Sequence, residues 1–247
     1  MRPSLIFVAL ATAPAAIEAQ WTTEWSYDGV RGPAHWAALD PAYAACNGKE
    51  QSPIDIRSAE KAVLPGLRFE YRTLPLKYLI NNGHAIRVNY HGSGDFLIAQ
   101  GERYQLTQFH FHRPSEELIQ GKRFAMVIHL MHESSGGNSA GVAVLLKAGR
   151  RNATIQQILD HLPQVAGSEH EVPGVEIDPA SLLPSNLDYY TYMGSQTAPP
   201  CTESVVWFVL KTPIEISPPQ IAAFARVYSH NVRPVQPLNG RIVKENQ

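Results

Sequence analysis

The segment Gln108-Phe109-His110-Phe111-His112 sets the reading of this chain. Side chains on a β-strand alternate between faces, so a His-x-His pair on a strand presents both imidazoles, together with Gln108, to one side. His129 follows seventeen residues after His112, inside a second strand-like run over residues 124–132. If the two strands pair, three imidazoles converge on one point. Three neutral nitrogen ligands that leave a fourth position open describe a catalytic zinc site rather than a closed structural one. The chain holds ten histidines, so the pair alone is weak evidence and gains its meaning from what surrounds it.

Length and composition suit one large globular domain: 247 residues, of which 44% are hydrophobic and 17% charged. A formal net charge of -1 gives no reason to expect nucleic acid or an acidic membrane surface as partner. Arg2, an apolar stretch over residues 5–13 and small residues over 15–19 read as a secretory signal peptide, which leaves residues 20–247 as the mature domain. No stretch approaches the roughly 20 apolar residues of a membrane span. The protein is therefore expected to be exported, to the periplasm or the medium, as a monomer or homodimer. Cys46 and Cys201, the two cysteines of an exported chain, are expected to pair.

Nineteen prolines and seventeen glycines divide the sequence into short runs. Strands are expected over 85–90, 95–99, 104–112, 124–132, 142–147 and 204–211, with turn signals at Asn47-Gly48, Asn82-Gly83 and Asn239-Gly240. Helices are expected over 154–162 and over 218–228, the second capped by Ser217 with Pro218 at its first position. The fold class is mainly β (α+β): a single domain with a central, mostly antiparallel twisted sheet and short peripheral helices.

Nine motifs, in order and at characteristic spacing, resemble the α-class carbonic anhydrases over residues 25 to about 243. They are Trp25-x-Tyr27, Gly32-Pro33-x-His35-Trp36, Gln51-Ser52-Pro53-Ile54-Asp55-Ile56, Asn81-Asn82-Gly83-His84-Ala85, Gln108 to His112, Pro114-Ser115-Glu116, His129-Leu130-Met131-His132, Pro199-Pro200-Cys201-Thr202-Glu203 and Asn231-x-Arg233-Pro234. The resemblance implies a lyase that hydrates CO2 reversibly to bicarbonate and a proton by attack of zinc-bound hydroxide. It implies a zinc cleft at the sheet centre, with Zn²⁺ held by His110, His112 and His129 and with sulfonamides and anions as inhibitors. It also pairs Cys46 with Cys201. Thr197 then matches the threonine that aims the hydroxide, and Glu116 the buried carboxylate that takes the threonine's proton. His84 matches the proton shuttle, and Tyr27 the tyrosine that orders the waters leading to it. Gln108 resembles the residue that fixes the first ligand's ring, and Asn231 the one whose backbone holds the second.

This sequence departs from the family pattern in two places. The third ligand's usual partner is a glutamate two residues before it; that position is Val127, which accepts no hydrogen bond. His129 is thus left to find another acceptor, a water or none, and weaker zinc retention is the expectation. The resemblance places Met131, Gly141, Val205 and Trp207 on the apolar wall of the CO2 pocket. Gln196 stands where a leucine is usual, Ala198 where a second threonine often follows, and Gly141 where a valine is common. Two other readings compete. His110-x-His112-x-x-x-Glu116 imitates a cupin metal site, and a carbonic-anhydrase-like protein can bind a partner without catalysis. An amide at position 196 binds water and hinders an apolar gas. Gln196→Leu is accordingly expected to speed CO2 hydration in stopped-flow assays; an unchanged or slower rate refutes this.

Overall fold

The fold positions its cleft through one irregularity in one long strand. In the computed structural model, residues 24–90, 92, 94–163, 165–167 and 169–246 are described, and the leader expected over residues 1–19 lies outside them. The body of the sheet comprises β1 (Ile86–Asn89), β2 (Phe96–Ala99), β3 (Glu102–His112), β4 (Met126–Ser134), β5 (Ser139–Ala148), β6 (Tyr189–Ser195) and β7 (Glu203–Leu210). Across its middle the order is β1, β3, β4, β5, β7, β6. β2 pairs the first part of β3 and β1 its last part, both antiparallel. The antiparallel character expected from sequence holds for most pairs, but β5 and β7 run parallel. The chain leaves β5, passes through a helix and β6, and only then returns as β7. β6 was absent from the expected strands, although its Tyr189-Tyr190-Thr191-Tyr192 run has the aromatic and β-branched composition that strands favour.

β3 changes parity midway. Tyr104 and Leu106 enter the larger core, and so do Phe109 and Phe111. Strict alternation cannot put both even and odd positions on one face. The ladder with β4 resolves the conflict: Leu106 pairs with His132 and Gln108 with Met131, so Thr107 is one residue too many, a β-bulge. Its hydroxyl donates to the Met131 carbonyl at 2.9 Å. Beyond the bulge, Gln108, His110 and His112 turn to the face opposite Phe109 and Phe111.

The two faces then differ. Ile128 and Leu130 of β4, Val142, Val144 and Leu146 of β5, and Phe208 and Leu210 of β7 build the larger core. Over it lie α1 (Ala153–Asp160) and α2 (Pro218–Ala225), which bury Ile155, Ile158 and Phe224 against it. Asn152 caps α1 by accepting from the Ile155 N–H, and the Gln220 side chain reaches back to the Ser217 N–H at the start of α2. Gln220 also donates to the Asn152 carbonyl at 2.7 Å, tying the two helix starts together. The opposite face carries a smaller cluster of Ile54, Val127, Leu145, Tyr192 and Trp207, and beside it the cleft.

Cys46 and Cys201 form the expected disulfide, across 155 residues of sequence. It is buried with Trp36 and Tyr43. Arg233, also buried, bonds this corner to the rest. One guanidinium nitrogen donates to Gln51 Oε1 at 2.8 Å and to the Ser52 carbonyl at 2.9 Å, the other to the Cys46 carbonyl at 2.9 Å. Closing so long a loop restricts the unfolded chain strongly, so the double variant Cys46→Ser, Cys201→Ser should lose about 2–5 kcal/mol of unfolding free energy in urea titrations. A loss below about 1 kcal/mol would show that the cross-link does little for the native state.

Candidate metal centre

The register of β3 against β4 sets His129 opposite His110 and Val127 opposite His112. All three histidines therefore emerge on the cleft face, and one ring nitrogen from each lies within 4.8 Å of the others. The remaining nitrogen of each ring is engaged. His110 Nδ1 meets Gln108 Oε1 at 2.8 Å, and His112 Nδ1 meets the Asn231 carbonyl at 2.6 Å. His129 is turned the other way, with Nε2 at 2.8 Å from Glu117 Oε1. Each acceptor fixes a tautomer. His110 and His112 are left with Nε2 free and His129 with Nδ1 free.

These free nitrogens argue that a cation belongs here. His112 Nε2 and His129 Nδ1 are buried and have no hydrogen-bond partner among the described residues. Buried polar atoms without partners are costly and rare, and a metal ion satisfies imidazole nitrogens that face one another. Burial, reinforced by the neighbouring histidines, holds His110 and His112 well below the ordinary imidazole pKa, so both are neutral and ready to ligate. Burial also pulls on His129, but Glu117 outweighs it and raises that pKa. Three imidazoles with an open side suit Zn²⁺.

Glu117 is the acceptor that the sequence left unnamed. It follows Glu116 directly, in the connection between β3 and β4, and its carboxylate is fully buried. Val127, where the expected glutamate is missing, is instead sealed in the smaller apolar cluster. The expectation of weaker zinc retention loses its premise: His129 has its carboxylate, delivered from elsewhere. No periodicity signals this, because the residue comes from a turn rather than from the ligand's own strand.

Glu116 and Glu117 thus face different targets. Glu116 Oε1 accepts from the Arg233 N–H at 2.7 Å, and the Thr197 hydroxyl is also hydrogen-bonded to this carboxylate. Burial pushes the Glu116 pKa up to about 7, opposed by His129, Thr197 and the Arg233 N–H. Glu116 Oε2 stands 3.4 Å from His112 Nε2 and 3.8 Å from His129 Nδ1, on the inner side of the cluster.

The cleft above the histidines encloses about 320 Å³. Tyr27, His84, Gln108, Met131, Gln196, Thr197 and Trp207 line it, as expected. Gly141 and Val205 do not. Gly141 pairs with Met131 and Trp207, and a Cβ on it would lie 2.7 Å from the Trp207 ring, so the tryptophan occupies that space. Val205 is buried in the smaller cluster together with Trp207. Gln196 is exposed to the cleft. His84 is half-buried and stacks on Trp25 with ring centroids 3.7 Å apart; burial lowers its pKa. The Asn231 side chain donates to the His84 carbonyl at 3.1 Å and to the Phe111 carbonyl at 3.0 Å. Burial, with Glu116 nearby, keeps the Tyr27 phenol neutral far above its usual range.

Comparison with known proteins agrees with this site. The family described as eukaryotic-type carbonic anhydrase matches residues 31–247. A carbonic anhydrase of Nostoc sp. is 41% identical over 245 residues, covering 97% of this chain and 91% of the relative. One from Neisseria gonorrhoeae is 39% identical, covering 99% and 96%. The solved complex of α-carbonic anhydrase from Thermovibrio ammonificans with the inhibitor sulfanilamide superposes with a TM-score of 0.86 at 42% identity, covering 90% of this chain and 99% of that one. The match excludes the cupin reading.

If Glu117 holds His129, Glu117→Gln should lose zinc to a chelator about 10–100 times faster than wild type. Val127→Glu should retain zinc no better than wild type and unfold more easily, because it buries a carboxylate among Ile54, Leu145 and Tyr192. Improved retention in Val127→Glu would return the support of His129 to that position.

Proposed function

The chain belongs to the eukaryotic-type carbonic anhydrase family, and on that premise we propose that its three-histidine cleft catalyses the family's reaction, the reversible hydration of CO2 to bicarbonate and a proton, with Zn²⁺ as resident metal. The observation that carries the reading is the set of three ring nitrogens left free and facing one another while every opposite nitrogen is held by Gln108, Asn231 or Glu117. Zn²⁺ bound there supplies Lewis acidity that brings the pKa of water to about 7 and so makes a nucleophile available at neutral pH.

The chain's own residues do the rest. An ionised Glu116 can only accept, so the Thr197 hydroxyl spends its proton on Glu116. The threonine oxygen is then obliged to accept from the nucleophile, which turns a lone pair of that nucleophile toward CO2. Met131 and Trp207 offer the apolar gas a surface that water does not contest, while Gln196 admits water at its edge. Trp207 packs against His129 with ring centroids 4.7 Å apart, which places that surface beside the metal ligands. His84, half-exposed and held by burial below the ordinary imidazole pKa, carries the released proton outward through water that the Tyr27 hydroxyl helps to order. A binding-only role is disfavoured, because ligands, Thr197, Glu116 and His84 are all retained in one cleft.

The chain is further proposed to work outside the cytoplasm, in the periplasm or the medium. The disulfide supports an oxidising compartment, and residues 1–19 have leader composition. Among the described residues no helix is long and apolar enough to cross a membrane.

Zinc-loaded protein should hydrate CO2 in stopped-flow assays, and sulfanilamide should inhibit it; metal-replete protein without activity defeats the reading. His84→Ala should lower kcat about tenfold or more in dilute buffer, leave kcat/KM nearly unchanged, and recover with added imidazole. An equal loss in kcat and kcat/KM would assign His84 another role.

A further inference from the structure

Arg87 stands in the cleft wall as a cation that no hydrogen bond or ion pair holds among the described residues. On β1 it pairs directly with His110 of β3, and directly paired residues project to the same face of a sheet. It lines the same cavity as the three histidines. Among the described residues no hydrogen bond or ion pair holds its guanidinium, and its Nε is buried without an acceptor. The carboxylates near it are engaged elsewhere. Glu169, whose charge acts on Arg87, is bonded by the Asn89 amide. Glu117 serves His129 and Glu116 accepts from the Arg233 N–H. Glu133, an exposed residue of the same lining, pairs with Gln105, five positions along β3 from His110, or roughly 16 Å away at strand spacing. A half-buried guanidinium whose Nε–H is desolvated and unmatched is an unfilled donor site.

We propose that Arg87 anchors an anion subsite in the cleft wall that takes a planar carboxylate-type oxyanion, either free bicarbonate or the carboxylate of a larger ligand. The two terminal nitrogens of arginine form a planar fork that matches two oxygens of such an anion, which a lysine or a chloride does not reproduce. The pairing with His110 sets this fork beside the metal ligands. Within the activity proposed above, on which this inference rests for its biological sense, the subsite holds the anionic product on its way out and is empty toward neutral CO2.

The metal-free protein tests the subsite independently of that activity. In ¹H–¹⁵N spectra the Arg87 Nε–H, identified by its absence in Arg87→Lys, should shift saturably with millimolar bicarbonate or acetate and stay in place with chloride at equal ionic strength. No shift, or the same shift with chloride, overturns a bicarbonate subsite. In zinc-loaded protein, benzenesulfonamides bearing a meta or para carboxylate should bind about fivefold or more tightly than their carboxamides at low salt, and Arg87→Gln should erase the preference. A preference that survives Arg87→Gln overturns an organic-carboxylate subsite. Both arms positive give a general carboxylate site and one alone names its source; two negative arms end the proposal. Wild-type CO2 hydration, measured in parallel, reports on the metal centre and not on Arg87.

Discussion

Everything at the metal centre depends on the register between β3 and β4. Side chains on a strand alternate with period two, so a slip of one residue would send His129 into the larger core and bring Ile128 or Leu130 to the cleft. Two features pin the register. Thr107 is held out of the ladder as a bulge, with its hydroxyl on the Met131 carbonyl, and this converts an even core parity into an odd one before Phe109. The apolar identities of Ile128 and Leu130 on one side and Phe109 and Phe111 on the other then make any other pairing costly. The ligands sit where they do because their neighbours must be buried.

The second constraint is electrostatic. Glu116 and Glu117 are adjacent, fully buried carboxylates, an arrangement that is expensive unless each has its own partner. The chain separates them by direction: Glu117 turns to His129, Glu116 to Thr197 and the Arg233 N–H. Arg233, itself buried, places its backbone on Glu116 and its side chain on Gln51, Ser52 and Cys46. One residue therefore joins the carboxylate behind the nucleophile's threonine to the corner closed by the disulfide.

Much of this was legible in the sequence because it follows from local periodicity. The parity of Gln108, His110 and His112, the strand runs around them, and the start of the second helix at Ser217-Pro218 are properties of neighbouring residues. What was not legible arises between distant segments. Glu117 reaches His129 from a turn, so searching two residues before the ligand found only Val127. The parallel pairing of β5 with β7 leaves no mark in either strand. Gly141 and Val205 were expected on the cleft wall from the family resemblance, but the Trp207 ring fills the space over Gly141 and Val205 belongs to the smaller apolar cluster. Arg87 falls inside a strand expected over 85–90 and was not singled out; its place in the cleft wall follows from pairing with His110, which no pattern within β1 reveals.

The three ligands and their supports belong to different stages of the chain's assembly. His110, His112 and His129 sit on two paired strands separated by only the residues 113–125, so closing that loop brings them together at small entropic cost. Glu117 lies inside that connection and arrives with them. Asn231, Thr197 and Cys201 come from segments about 70–120 residues further on, and contacts of such sequence separation form slowly. Until the segment carrying Asn231 docks, the His112 ring has no carbonyl to fix its tautomer. The hold of this cluster on a metal is thus coupled to completion of the fold, because one of its three supports comes from the far end of the chain.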